Sequence, residues 1–276
     1  MMQRRWLLML SCVGALAACG GGDGEGAAGL PRAVPSSQSK AARELRLPVM
    51  RLAPSRASVS GSTGRTITVQ VRIEGGVKGD SLVRSAGVGF VCGDSLVDTL
   101  VTRNRDAVIG ALTWVEGPTA VVMPSGNAER RATVTVSECQ LRPRLQVAPP
   151  GSTLQLVMRD GRAEALVIVP ATPSLPIDTV QFLTDGQLVP VRDRADSTGV
   201  LAIYATSLPW ARAFIAITPP GVSAVTDPDG VATFTLDPAG RSTTLRAWHP
   251  ALGVVSATVD PSTLRAGEKV TLTFKP

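Results

Sequence analysis

The sequence predicts an all-β protein in which two antiparallel β-sandwich or Greek-key domains follow a signal peptide and a flexible tether. Val, Thr, Ala, Gly and Pro are frequent in the composition, and aromatic residues make up only 4% of the chain. Short alternations of apolar and polar residues recur about every ten residues, with turn residues between them. No stretch has the apolar spacing of a long amphipathic helix. A chain of 276 residues has room for two small domains.

The clearest strand pattern lies in Arg65–Ile73, where Ile and Val alternate with Thr, Gln and Arg. Because successive side chains of a strand point to opposite faces, this stretch has one face suited to a core. Similar patterns predict the strands Ala86–Cys92, Val108–Trp114, Thr119–Met123, Ala132–Ser137, Thr153–Met158, Glu164–Val169, Thr179–Leu183, Val200–Tyr204 and Arg212–Ile217.

The N-terminus carries the pattern of an export signal. Met1–Arg5 is basic, and Trp6–Ala18 is apolar but too short to span a bilayer. The segment ends in Leu-Ala-Ala-Cys at Cys19, which resembles the lipobox of bacterial lipoproteins. The resemblance implies that residues 1–18 are removed and that Cys19 carries the acyl chains of a stable membrane anchor. The alternative is an ordinary secretory signal followed by an incidental cysteine.

Residues 19–56 are predicted to form a flexible tether. Gly20–Gly29 is rich in glycine, and Pro31–Lys40 is polar and rich in Pro and Ser. Gly20, not aspartate, follows the cysteine. In a Gram-negative cell this resembles outer-membrane sorting, so the expected location is the cell envelope, on the periplasmic or surface side of the outer membrane.

The cysteines predict one disulfide. Cys12 leaves with the signal and Cys19 takes lipid, which leaves Cys92 and Cys139 in a compartment that permits oxidation. Each of the two ends a predicted strand. The alternative is a pair of thiol metal ligands, but a metal site needs further ligands such as histidine, and the chain has one histidine.

The charge pattern does not predict a nucleic-acid partner. The formal net charge is +6, and Arg4 and Arg5 are part of the segment expected to be removed. Single-strand binders interleave basic residues with aromatic side chains, and no run of this kind is present.

The C-terminal part carries a second resemblance. Thr226–Gly230 reads as a turn because proline presets φ, aspartate binds nearby amides and glycine takes φ > 0. Val231–Leu236 and Ser242–Trp248 alternate as strands. The run VTDPDGVATFTL…AGRSTTLRAWHPALG resembles the carboxypeptidase-regulatory-like (transthyretin-like) domain of bacterial periplasmic proteins, in which a plastocyanin-like domain accompanies it. Leu208–Ala213 and Cys139–Pro143 resemble further parts of that architecture.

This resemblance implies a division of the folded part into two domains. Residues 57–217 would form a sandwich or barrel that is partly a degenerate plastocyanin-like (cupredoxin) domain, and residues 218–276 the carboxypeptidase-regulatory-like sandwich. The alternative is that the first strands, within residues 57–130, complete the C-terminal sandwich and the barrel is inserted between them.

Two candidate catalytic or metal chemistries lack essential residues. Plastocyanin-like relatives hold copper with His, Cys and Met, and Ala205 and Leu208 stand at the matching cysteine and histidine positions. The sequence Gly-Asp-Ser-Leu at Ser95 resembles the first block of GDSL-type esterases. Such enzymes need an Asp-x-x-His to activate the serine, and Arg246 stands three residues before His249, the single histidine.

Three further candidates have simpler structural interpretations. His249 is expected to bond backbone near a turn. Asp227 and Asp229, with Asp237, could offer oxygens to calcium, but turn chemistry explains them too. Carbohydrate binding would need exposed aromatic platforms, and the tryptophans lie in core-like positions.

The expected function is therefore that of a non-enzymatic, lipid-anchored envelope protein that acts by binding or scaffolding. No catalytic residue, metal ligand or cofactor is predicted. The expected partners are the membrane, through Cys19, and an envelope protein that meets the exposed edge strands. The alternatives are a periplasmic copper or redox protein of cupredoxin type and an esterase that uses Ser95.

Overall fold

The computed structural model describes residues 57–58, 64–76, 81–84, 92–99, 101–117, 121–122, 130–170, 178–182, 185–191 and 198–276. All of them belong to the unit Leu47–Pro276. Every regular element among the described residues is a β-strand, which confirms the predicted all-β class. Among these residues no helix is long and apolar enough to cross a membrane. The predicted signal peptide, Cys19 and the tether up to residue 56 lie outside the described residues.

The strands in chain order are β1 (Ala57–Ser58), β2 (Arg65–Ile73), β3 (Ser81–Arg84), β4 (Ser95–Asp98), β5 (Arg103–Asn104), β6 (Ala107–Val108), β7 (Leu112–Glu116), β8 (Val121–Val122), β9 (Arg131–Ser137), β10 (Gln140–Arg142), β11 (Leu145–Ala148), β12 (Thr153–Met158), β13 (Glu164–Pro170), β14 (Asp178–Phe182), β15 (Leu188–Val191), β16 (Gly199–Ala205), β17 (Arg212–Ile217), β18 (Ser223–Val225), β19 (Val231–Leu236), β20 (Thr243–His249), β21 (Gly253–Val259) and β22 (Lys269–Phe274).

The first sandwich packs two sheets face to face. Sheet I has the order β1-β8-β19-β2-β6-β5, with β22 beside β2, and sheet II has the order β18-β7-β20-β21. The core between them takes the inward side chains of β2, β19 and β22 from sheet I and of β7 and β20 from sheet II. Ile67, Val69 and Val71 are fully buried there. The period-two alternation of β2 therefore places its apolar face as the sequence predicts.

Strand pairing answers the question of where residues 57–130 belong. β2 runs antiparallel to β19, with Arg65 opposite Leu236, and parallel to β22, with Thr68 opposite Lys269. β7 pairs antiparallel with β20 and β18. β1, β2 and β5–β8 thus complete the C-terminal sandwich, which is the arrangement given as the alternative, whereas β3 and β4 form a separate two-stranded sheet. The division expected between residues 217 and 218 does not separate the sheets, because β2 buries its apolar face only with partners from the end of the chain.

The second sandwich is inserted between these two sets of strands. Sheet III has the order β11-β17-β16-β13-β14 and sheet IV the order β10-β9-β12-β15. Their core contains alternate residues of β9, β12, β13, β16 and β17. The outer faces of sheets II and III meet in a third apolar cluster, where the Phe214 and Trp248 rings contact edge to face with centroids 5.3 Å apart. The sheets therefore stack in the order I, II, III, IV.

One predicted strand differs from the structure, and others lie wholly or partly beyond the described residues. Val108–Trp114 is not one strand, because Gly110 has φ 74° and separates β6 from β7. That backbone conformation suits glycine and ends the extended run. The predicted strand Ala86–Cys92 lies outside the described residues except for Cys92.

Candidate functional site

The predicted disulfide between Cys92 and Cys139 is confirmed, with the two Cα atoms 5.7 Å apart. It links the loop of the β3–β4 hairpin to the turn between β9 and β10. Cys139 has φ 57°, and two bonds hold it in that conformation. Its N–H donates to Asp160 Oδ2 at 3.0 Å, and its carbonyl accepts from Trp210 Nε1 at 2.9 Å. The hairpin is therefore fixed to a rigid part of the second sandwich.

A buried ion cluster provides a second attachment for the same hairpin. Asp98, at the end of β4, is 3% exposed. Its Oδ1 lies 2.7 Å from Arg144 Nη2, and its Oδ2 lies 3.5 Å from Arg212 Nη2. Arg144 Nη1 also donates to the carbonyl of Thr99. A carboxylate buried between two guanidinium groups is a costly arrangement unless both partners stay in place. The cluster thus holds β4 against β11 and β17.

A second buried carboxylate organises the loop after β16. The Glu164 side chain is 0% exposed and lies 2.8 Å from Arg162 Nη2. It accepts from Thr206 Oγ1 at 3.1 Å, from Ser207 N–H at 2.9 Å and from the Ser207 hydroxyl. Composition and alternation gave no signal for this cluster, because a glutamate that begins a strand usually faces solvent.

Ala205, the last residue of β16, and Leu208, in the loop that follows, stand at the positions where the resemblance to plastocyanin-like proteins would place copper ligands. Ala205 and Leu208 are buried in the core between sheets III and IV. Their side chains are hydrocarbon and cannot ligate a metal. Among the described residues, no group of three or more His, Cys, Asp or Glu side chains could hold a metal ion. These residues do not fit a copper centre.

The structure places Ser95 and His249 on different sheets. Ser95 begins β4 opposite Arg84 of the hairpin. His249 ends β20 in sheet II and is buried, and its Nδ1 accepts the N–H of Ala251 at 3.2 Å. Burial, together with the smaller effect of the nearby Arg144 charge, lowers the pKa of His249 to about 4. His249 is thus a neutral histidine that bonds backbone at a turn.

The aspartates of the C-terminal turns bind their own backbone. Asp227 Oδ1 accepts the N–H groups of Asp229 at 2.9 Å and Val231 at 2.8 Å, and Asp237 Oδ1 accepts that of Ala239 at 2.9 Å. These are Asx-type turn bonds. The three carboxylates predicted as a calcium alternative do not form a ligand cluster in this part of the chain.

The tryptophans do not form an exposed platform for carbohydrate. Trp114, Trp210 and Trp248 are all buried. The indole N–H groups of Trp114 and Trp248 and the hydroxyl of Tyr204 have no hydrogen-bond partner in the part of the chain that the structure describes. Burial raises the pKa of Tyr204 to about 12, against the opposing charge of Arg212. Trp114, Trp248 and Tyr204 belong to the apolar cluster between the two sandwiches, and Trp210 lies in the core of the second sandwich.

Comparison with known proteins adds little to this geometry. No family model matches the chain, and no curated protein matches it. Among solved structures, it is similar to a copper-containing nitrite reductase from Thermus scotoductus (15% identity, 36% of this chain, 25% of that chain, TM-score 0.29). It is also similar to a purple cupredoxin from Nitrosopumilus maritimus (14%, 32% and 99%, TM-score 0.26) and an auracyanin from Roseiflexus castenholzii (13%, 34% and 100%, TM-score 0.27). Likenesses with TM-scores this low carry no argument about family or function.

Proposed function

We propose that this chain is a lipid-anchored cell-envelope protein that acts by binding or scaffolding. The observation that carries the proposal is the Cys92–Cys139 disulfide. Structural disulfides persist in oxidising compartments and are rare in the cytosol. The disulfide therefore supports export independently of the apolar N-terminal segment and the Leu-Ala-Ala-Cys sequence that ends at Cys19.

The architecture suits a protein that presents surfaces. Each sandwich has its own apolar core, and a third apolar cluster joins the two sandwiches. The disulfide and the Asp98–Arg144–Arg212 cluster fix the β3–β4 hairpin to that body. The Gly-rich stretch Gly20–Gly29 has the composition of a flexible tether. If Cys19 is anchored, this tether would let the folded part take many positions above the membrane. The proposed partner is another envelope protein.

Fatty-acid labelling tests the anchor. Cells that express the full chain are fed a labelled fatty acid, and the protein is isolated from the membrane fraction. We expect label on the wild type and on the control Cys12→Ala, and none on Cys19→Ala. Equal label on both variants, or an unlabelled wild type, would contradict the anchor.

Cross-linking in the membrane tests the binding role. The full-length chain is cross-linked in intact cells, and captured proteins are identified by mass spectrometry. Reproducible capture of one envelope protein supports a scaffold and names the partner. If nothing specific is captured, metal and glycan screens are the next experiments.

The copper or redox alternative is tested by metal analysis of the purified chain. Because Ala205 and Leu208 offer only hydrocarbon, we expect no stoichiometric copper. One copper per chain would overturn our interpretation of that loop. The esterase alternative predicts that Ser95→Ala abolishes ester hydrolysis, whereas the proposed function predicts no difference between this variant and the wild type.

A further inference from the structure

The outer strand β21 of sheet II is unusual among the described edges. It has seven residues, Gly-Val-Val-Ser-Ala-Thr-Val, and in its sheet it pairs with β20 alone. The strand contains no charged residue and no proline. Exposed edges present unpaired N–H and C=O groups, and proteins usually protect them with charge, proline or short length.

The other outer strands of the four sandwich sheets carry those protections, and β3 and β4, which form a separate two-stranded sheet, have four residues and one charged residue each. β1 and β5 have two residues, β10 and β18 have three, and β11 has four. β15 contains Pro190, β14 begins with Asp178 and β22 begins with Lys269. Among these outer strands, β21 is therefore long and has neither a charged residue nor a proline to prevent pairing at its edge.

The apolar core of the first sandwich is incompletely covered at this edge. Val255, Ala257 and Val259 pack against the core between sheets I and II, as do Leu252 and Val270, but all five are only partly buried. No residue of β21 is buried. On the opposite face, Val254 is 41% exposed. A strand added beside β21 would cover apolar surface as well as pair backbone groups.

We propose that β21 pairs antiparallel with β21 of a second copy of this chain, about a two-fold axis at Ser256. In this register Val255 faces Ala257 of the copy and Val254 faces Thr258. The residues that point to the core in one copy then meet core-facing residues of the other. A two-fold axis makes the contact isologous, so it closes as a dimer.

The charges around the strand favour this occupant. β21 brings no like charges opposite each other, which would destabilise a cross-strand pair. On the neighbouring strand, Arg246 faces Ser256, and its charge is already paired with the carboxylate of Glu116 on β7. The strand therefore meets its own copy without an unneutralised charge at the centre of the contact.

Cysteine cross-linking of the full-length chain tests the register. In the proposed dimer, Ser256→Cys places two Cα atoms about 4.5–5.5 Å apart, within the range for a disulfide. We expect a covalent dimer on a non-reducing gel. The matched control Thr258→Cys lies four residues from its equivalent along the strand, about 13 Å away, and stays monomeric. The double variant with Val254→Cys and Thr258→Cys restores the dimer.

The result that overturns the proposal is equal cross-linking by Ser256→Cys and Thr258→Cys, or none by Ser256→Cys. A covalent adduct with a different protein would also overturn it, because another chain would then occupy the edge. Sedimentation of the detergent-solubilised chain adds a second measurement. We expect Ser256→Lys to lower the dimer fraction at least tenfold, while Thr233→Lys, at an exposed position of β19, leaves it unchanged. Unaltered association of Ser256→Lys contradicts the contact. Neither experiment depends on the anchor or on an envelope partner.

Discussion

Replacing Gly230 with alanine tests the contact between the predicted C-terminal turn and the N-terminal strand β2. Gly230 has φ 71°, and its carbonyl accepts the N–H of Val71 at 2.8 Å. A Cβ built on this residue would lie 2.8 Å from the Val71 carbonyl oxygen and 2.9 Å from Ala107 Cβ. Two effects therefore oppose alanine here: the left-handed backbone and a clash with atoms of sheet I.

The two effects can be estimated separately. A non-glycine residue in the left-handed region costs roughly 1–2 kcal/mol. Inserting a methyl group into packed structure costs roughly 1–3 kcal/mol, and more where the opposing atom is backbone and cannot move alone. We expect Gly230→Ala to lower the free energy of unfolding by about 3–4 kcal/mol. Gly151 isolates the first effect, because it has φ 77° and a Cβ added there would meet no atom within 4 Å.

The assay is urea unfolding of the wild type, Gly230→Ala and Gly151→Ala, followed by tryptophan fluorescence. Gly151→Ala should cost about 1–2 kcal/mol, and the excess for Gly230→Ala measures the clash. Equal losses for the two variants would refute the close approach of the turn to Val71. They would also refute the pairing of β2 with the C-terminal strands, on which that approach depends.

The remaining predictions concern the buried links. Replacing both Cys92 and Cys139 with serine should lower the free energy of unfolding by about 4 kcal/mol, because the sequence separation of 47 makes a long loop. Glu164→Ala should cost about 3–5 kcal/mol in the same urea assay, because it leaves the largely buried Arg162 guanidinium without its carboxylate partner and with only the Ser207 hydroxyl. His249→Asn should reduce the loss of stability on acidification. The folded-state pKa of His249 is about 4, below its unfolded value of 6.5, so its contribution is complete above pH 6.5 and declines as the pH falls toward 4. Between pH 7 and pH 5, the free energy of unfolding of the wild type should fall by about 1–2 kcal/mol more than that of His249→Asn.

Each of these predictions has a control and a contradicting outcome. The disulfide variant should match the wild type measured under reduction, and a serine pair as stable as the oxidised wild type would contradict the structural role. Glu164→Gln should lower the free energy of unfolding less than Glu164→Ala does, since an amide keeps an acceptor for Ser207. An unchanged pH profile for His249→Asn would show that His249 is not buried as a neutral group.

The repeating patterns of the sequence were enough to predict the fold class and several strands. β2, β9, β12, β19 and β20 follow the expected alternation because each has one face in a core and one outside it. The sequence patterns did not predict which strands pair. β2 pairs with β22 across nearly the whole chain, and period-two alternation shows which face is buried without showing which strand lies beside it.

The buried charges were not predicted for a related reason. Asp98, Arg144 and Glu164 stand in stretches that read as ordinary turns or strand ends. Charged residues are rarely buried unless paired, so sequence alone places them in solvent. Their partners come from distant parts of the chain, Arg212 to Asp98 and Ser207 to Glu164. The disulfide was predictable because the expected removal of Cys12 and lipidation of Cys19 left two cysteines for one bond.

The place where the chain enters the folded part bears on the proposed anchor. β2 lies between β19 and β22 in sheet I, antiparallel to one and parallel to the other. If Cys19 holds lipid, a pull from the membrane reaches β1, which pairs with β8, and then β2. Removing β2 from the sheet would break its hydrogen bonds to both β19 and β22. Because those bonds join the first long strand to the last one, the N-terminal end of the described fold is firmly tied into the first sandwich.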